Sequence, residues 1–160
     1  MYHIEGVAEC NFDNIEKVVL GSGKIYYVYD DEDPVVSVEI NINSFFSDAI
    51  IFNDYMVIGN YCEGIYLISL IDHSVRNIKI RGYFAYFEID KDVLYVLGCN
   101  NVIAFNSDLE LKWESDNLAE DGVVCDSIED DIMTISCEMN PPGGWIERKL
   151  SLVEGKIIDE

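Results

Sequence analysis

Carboxylates are the one reactive group this chain holds in quantity, with 31 Asp and Glu against 10 Lys and Arg and two His among 160 residues. Two acids held a few ångströms apart in a pocket, one with a raised pKa, would make a glycosidase-type pair. The densest run is DDEDP, at Asp30, Asp31, Glu32, Asp33 and Pro34. It reads more simply as a solvated hairpin tip with Pro34 setting the turn. Acids this abundant also make no chosen pair informative. A Ser or Cys nucleophile needs a base, and the only imidazoles are His3, near the start, and His73 in the turn-like IDHSV. Neither lies beside a GxSxG-like elbow. GSGK, Gly21 to Lys24, lacks the long spacing and following helix of a phosphate-cradling loop and reads as a hairpin turn. These residue types argue against an enzyme.

Metal chemistry is no better supplied. Cys10, Cys62, Cys99, Cys125 and Cys137 contain no CxxC pair and have no His at ligand spacing. ESDNLAEDGVV, Glu114 to Val124, is rich in oxygens, but Asp116, Glu120 and Asp121 do not follow the spacing of an EF-hand loop. Ser115, Asp116 and Asn117 instead suit an Asx-type turn, and EDG suits a tight turn entering a strand. No metal or cofactor is expected. The cysteine count is odd, and the opening MYHIEGVAEC lacks a basic stretch followed by an apolar one. Both features suggest a reducing cytoplasm with free, mostly buried thiols.

MNPPGGW, Met139 to Trp145, is the most shaped local feature. Two prolines fix φ and remove donors, two glycines permit positive φ, and a tryptophan follows. One reading is an enlarged hairpin whose Trp145 packs over neighbouring strands. The other is a stiff loop presenting Trp145 and Met139 to a partner, since a rigid aromatic anchor loses little entropy on binding.

The elements that carry these stretches repeat. Apolar runs ending in a small residue, EKVVLG, DYMVIG, DVLYVLG and DIMTISC, finish at Gly21, Gly59, Gly98 and Cys137, spaced 38, 39 and 39 residues apart. Each opens with an acid: Glu16, Asp54, Asp92 and Asp131. Each is followed by a second short apolar run, KIYYVYD, GIYLISLID, NVIAFNSD and WIERKLSLV, which makes a hairpin. Further alternating runs precede and follow; in GYFAYFEID, Tyr83, Ala85 and Phe87 alternate with Phe84, Tyr86 and Glu88. The fourth runs are VVSVEINI, VRNIKI, LELKWES and GKIID. The expected fold is all-β, one domain over residues 1–160, built as four meanders of about 39 residues. Such repeats suggest a β-propeller-like chain, either a closed four-blade ring or an open, barrel-like wrap.

The formal net charge of −21 bounds the partners. So negative a surface repels phosphate backbones and anionic lipid headgroups, so neither nucleic acid nor a membrane is expected to be bound. No apolar run approaches the ~20 residues of a membrane span. Lys and Arg are absent from Ile25 to Val75 and again from Trp113 to Glu147. Such an acidic field is either ordinary solubility or a recognition surface for a basic protein.

Two motifs carry a resemblance. Trp113, Ser115, Leu118, Ala119, Asp121, Gly122 and Val123, then Pro141, Pro142, Gly143, Gly144 and Trp145, spell WxSxxLAxDGV and PPGGW. This half of the chain, from Gly82 to Ile157, resembles a family of small, mostly uncharacterised bacterial proteins. The family is similar to the acidic immunity proteins of toxin and immunity pairs. CEMN stands before the prolines where more acidic or bulkier residues are the pattern. The resemblance and the charge together imply a non-enzymatic cytoplasmic protein that covers the active site of a basic toxin, such as a nuclease. The expected contacts are Asp30, Asp31, Glu32, Asp33, Glu114, Asp116, Asp121, Glu129, Asp130 and Trp145. The alternative is a small-molecule or glycan-binding module using Tyr83, Tyr86 and Trp113 around a mouth.

Overall fold

The computed structural model describes residues 1–9, 12–42 and 44–158. Their β-branched and aromatic residues form fifteen short strands, and the one helical segment among them is a 3-10 turn at Tyr61–Glu63. The strands make four small sheets. The chain divides into two compact units, Met1–Ile78 and Lys79–Glu160.

In the first unit, β5 (Ser47–Phe52), β6 (Tyr55–Asn60), β7 (Gly64–Ser69) and β8 (Val75–Ile78) pair in chain order as an antiparallel meander. The other sheet departs from that expectation. Its strands are β1 (Tyr2–Val7), β2 (Glu16–Val19), β3 (Lys24–Asp30) and β4 (Asp33–Ile40), in the order β1-β3-β4-β2. EKVV of β2 does not form a hairpin with KIYYVYD of β3. It runs parallel to β4, with Glu16 beside Val36 and Val19 beside Glu39. Both edges of β3 are already occupied, by β1 on one side and by β4 across the Asp31–Glu32 turn on the other. The backbone groups of β2 are therefore satisfied on the outer edge of β4, and Leu20 N donates to Glu39 O at 2.8 Å. GSGK rounds the end of β4 instead of closing a hairpin. DDEDP is a hairpin tip as expected, but the turn is made by Asp31, at φ +52°, and Glu32. Pro34 does not set it; it stands inside β4 opposite Tyr29, at a register shift. Tyr26, Val28, Val36, Val38 and Ile40 face inward at strand spacing and join Val18, Met56, Ile58, Ile68 and Leu70 in one core.

In the second unit, β9 (Phe84–Asp90), β10 (Val93–Gly98), β11 (Val102–Phe105) and β12 (Leu111–Glu114) form one antiparallel meander. β13 (Val123–Glu129), β14 (Ile132–Glu138) and β15 (Trp145–Ser151) form the other, extended by a bridge between Leu150 and Ile157. The uninterrupted alternation expected in GYFAYFEID is broken by a bulge. Leu97 pairs with Tyr86 and Gly98 with Phe84, leaving Ala85 unopposed. Both Phe84 and Phe87 are thereby buried. Strand β14 alternates cleanly, with Met133, Ile135 and Cys137 inward. They pack with Tyr95, Leu97, Val102, Ala104, Trp113, Leu118, Val123 and Leu150.

The acids that open three of the repeated runs are turn residues. Asn53–Asp54, Lys91–Asp92 and Asp130–Asp131 are two-residue loops closed by the pairs Phe52↔Tyr55, Asp90↔Val93 and Glu129↔Ile132. Their first residues have φ of +52°, +53° and +49°. Asn and Asp tolerate that region better than other residues with a Cβ, which favours them at such turns.

Candidate interaction surface

At one end of the second unit the segments 79–83, 99–101, 115–122 and 139–144 converge. The WxSxxLAxDGV residues hold this end together. Trp113 is 8% exposed, and its Nε1 donates to Leu152 O at 2.8 Å. Ser115 Oγ accepts from Val102 N at 3.0 Å and donates to Asp116 O at 2.9 Å, which satisfies a buried hydroxyl. Leu118 N donates to Asn100 O, and Gly122 N to Cys99 O. The carboxylate of Asp121 accepts from Tyr83 Oη at 2.6 Å. The connection from β12 to β13 is thus fixed to the neighbouring strands along its length.

MNPPGGW closes the β14–β15 hairpin next to it, beyond the pair Glu138↔Trp145. Met139 N donates to Gly144 O and Asn140 N to Gly143 O, both at 3.2 Å, around a cis Pro141–Pro142 bond. Gly143 N donates to Glu138 Oε1. Glu138 also ties this turn to the preceding connection: its backbone O accepts from Glu120 N and its N donates to Gly122 O. Trp145 lies over Gly122, where an added Cβ would stand 3.1 Å from the indole Cη2. The indole is 49% exposed. Both sequence readings of the turn therefore have a physical counterpart, since Trp145 packs on one face and presents the other.

Of the acids expected as contacts, those in the second unit fall at two separate ends of it. Asp116, Glu120 and Asp121 are exposed on the β12–β13 connection, and the backbone N of Glu120 and of Asp121 donates to Glu138 O, opposite Trp145. Glu114 is near them but committed within the unit. Its Oε1 takes Arg81 Nε at 2.6 Å and Asn101 Nδ2 at 2.9 Å, and Arg81 also reaches Ser115 O. Glu129 and Asp130 lie at the opposite end of β13, whose seven residues place the two ends roughly 20 Å apart. There Lys91 Nζ stands 3.9 Å from Asp131 and 3.8 Å from Asp90. Asp30, Asp31, Glu32 and Asp33 form the exposed tip of the first unit, with the Met1 amino group 3.0 Å from Asp30 and 2.7 Å from Asp31. Sequence reasoning overlooked Glu138, which carries no motif signal, and the Arg81–Glu114 pair.

His3 stacks on Tyr29 at 5.0 Å, and His73 occupies a turn at φ +59°. Cys99 and Cys137 are buried and Cys62 is exposed, all with free thiols; Cys10 lies outside the described residues. Burial, reinforced by Glu88 and Asp126, pushes the Cys125 thiol up to about 11, which disfavours a thiolate nucleophile. Among the described residues no group of three or more His, Cys, Asp or Glu could hold a metal ion, and no helix is long and apolar enough to cross a membrane. Two shallow cavities are small: about 180 Å³ beside Ser127, Thr134 and Lys149, and about 150 Å³ beside Asn60 and Tyr61. Trp113 is not at a mouth but in the core, while Tyr83 is tied to Asp121 and Tyr86 accepts from Cys125 N.

Burial also pushes Tyr86 and Tyr95 up to about 12, with Asp90 and Asp131 adding to the effect on Tyr95. Each of these acids holds its proton more tightly folded than unfolded. Their contribution to stability is therefore intact below the unfolded values of 9.0 for the thiol and 10.0 for the phenols. It is lost as pH rises toward 11 and 12. Urea denaturation across the alkaline range should show stability falling from about pH 9 upward. A flat profile there would contradict these environments.

No family model matches the chain, and no curated protein matches it. Among solved structures it is similar to the computationally designed Ika8 protein, at 7% identity over 84% of this chain and 42% of that one, with a TM-score of 0.59. It is also similar to BamB from Moraxella catarrhalis, at 11% identity over 96% and 50% of the two chains, TM-score 0.55. A third is the computationally designed Ika4 protein, at 7% identity over 75% and 76%, TM-score 0.53. The chain thus spans half or less of BamB and Ika8. At these identities the likeness is one of fold alone, a β-propeller-like succession of small sheets.

Proposed function

We propose that this chain is a non-enzymatic protein-binding domain that neutralises a basic bacterial toxin by covering its active site, acting in the cytoplasm. A nuclease fits best as the target, because a cleft that binds polyanions is cationic. The observation that carries this reading is Trp145, half exposed on a turn hydrogen-bonded on both sides and bordered by Glu120 and Asp121, with Asp116 exposed on the same β12–β13 connection. Those three acids form no ion pair among the described residues. A rigid indole supplies apolar contact area, and the acids take the positions of substrate phosphates. The remaining negative charge, including the Asp30–Asp33 and Glu129–Asp130 tips, accelerates encounter without needing to touch the partner. Inhibition is steric. The burial of Trp113 in the core, and the ties of Tyr83 to Asp121 and of Tyr86 to Cys125 N, weigh against a ligand mouth built from these three aromatics.

The test is capture of the partner by the tagged chain at low and moderate salt, followed by assay of the captured polypeptide with and without the chain. A basic polypeptide, released as salt rises and inhibited by the chain, is expected. The triple variant Asp116→Asn, Glu120→Gln, Asp121→Asn should slow association about tenfold at low salt. Trp145→Ala should chiefly speed dissociation. Unchanged rates in both variants would sink the proposal.

A further inference from the structure

The outer edge of β15 is only partly covered. In the second and third sheets a fourth strand lines the third: β8 pairs with β7 from Ile65 to Ile68, and β12 with β11 from Ile103 to Phe105. In the fourth sheet the corresponding contact is a bridge at Leu150, with Ser151 N donating to Lys156 O and Ile158 N to Lys149 O. Those two bonds show that Lys149 and Ser151 point their backbone groups toward the outer edge. By the period of two, Glu147 and Trp145 do the same. Among the described residues nothing pairs with that stretch. Its flanks are apolar, with Trp145 49% and Ile146 42% exposed, and Arg148 beside them has a buried Nε without an acceptor.

Resting on the protein-binding reading above, we propose that the partner contributes an extended segment that adds to the outer edge of β15 over Trp145–Arg148 and completes the fourth sheet. The segment alternates basic and apolar residues. Its basic side chains share a face with Glu147, Glu138 and Trp145, which offer ion pairing and a cation–π contact. Its apolar side chains lie beside Ile146. Backbone bonds supply affinity, and the flanking side chains select the sequence. A second copy of this chain fits the same edge poorly, because each copy carries a net charge of −21.

The probe is a capped nine-residue peptide of alternating lysine and valine, compared with the same peptide N-methylated at every residue, which keeps the charge but cannot pair as a strand. The full chain is titrated with each peptide while indole emission is followed, and amide exchange is mapped. The unmethylated peptide should shift the Trp145 signal and protect the Trp145 and Glu147 amides. Methylation should weaken binding about tenfold or more. Glu147→Pro, which deletes an outward N–H, should have the same effect while leaving Trp113 buried. Equal binding of both peptides, with loss of both when Asp116, Glu120 and Asp121 are neutralised, would overturn strand addition and leave the acidic-surface reading standing. Protection at β2, β8 or β12 instead, no binding at millimolar peptide, or a dimer with the β15 edge already protected would overturn it as well.

Discussion

Trp113→Ala is expected to remove about 4 kcal/mol of stability, a large part of what a domain of this size holds. The indole is 8% exposed, sits 5.9 Å from the Tyr95 ring and is the donor to Leu152 O. Truncation leaves a cavity in the core of the second unit and strips that carbonyl of its partner. The opposite wall of the pocket makes the same point from outside. At Gly155, φ is +70° and an added Cβ would stand 2.4 Å from Trp113 Cε3. Gly155→Ala thus combines backbone strain with overlap against a ring that has no room to move, and should cost roughly 2–3 kcal/mol. Trp145→Ala should cost under about 1 kcal/mol, because its indole is half solvated. Urea denaturation of the three variants separates these roles. Equal destabilisation by the two tryptophan truncations would refute the division between a core Trp113 and a surface Trp145.

The repeat could be read in the sequence because hairpin turns constrain residue type. Asp54, Asp92 and Asp131 recur 38 and 39 residues apart because each is the second residue of a two-residue hairpin turn whose first residue has positive φ. The first repeat departs from the expected meander for a reason equally physical. EKVV has the alternation of any half-buried strand, and alternation does not reveal which edge a strand will join; that depended on β1 and β4 having taken both edges of β3. A period-two pattern likewise cannot show the bulge at Ala85, which is a property of the pairing. At the surface, the shaped turn and its exposed Trp145 were legible, since Pro, Gly and Trp announce rigidity and contact area. Counting charges within Trp113 to Glu147 could not show that Arg81, 33 residues before Glu114, engages that acid. Nor could it show that Asp121 and Asp130, near in sequence, are held apart by the length of β13.

Gly122→Ala should couple fold to surface more strongly than any other single change at this end, with a loss of roughly 2–3 kcal/mol. Its φ of +135° is nearly closed to residues bearing a Cβ, and the new methyl would stand 3.1 Å from Trp145 Cη2 and 3.6 Å from Glu138 Cβ. Gly122 also donates to Cys99 O and accepts from Glu138 N, so a shift of this residue moves the MNPPGGW turn with it. Two contributions can be separated with a double-mutant cycle. In a Trp145→Ala background the contact with the indole is gone but the backbone strain persists, so the two changes should be sub-additive by about 0.5–1 kcal/mol. Partner binding supplies the second axis. Trp145→Ala should weaken it by about 2 kcal/mol, roughly thirtyfold, with little change in stability, whereas Gly122→Ala should lower both by unseating the indole. If Gly122→Ala destabilised the chain yet left Trp145 emission and binding unchanged, the DGV connection would be holding the sheets together without positioning the anchor.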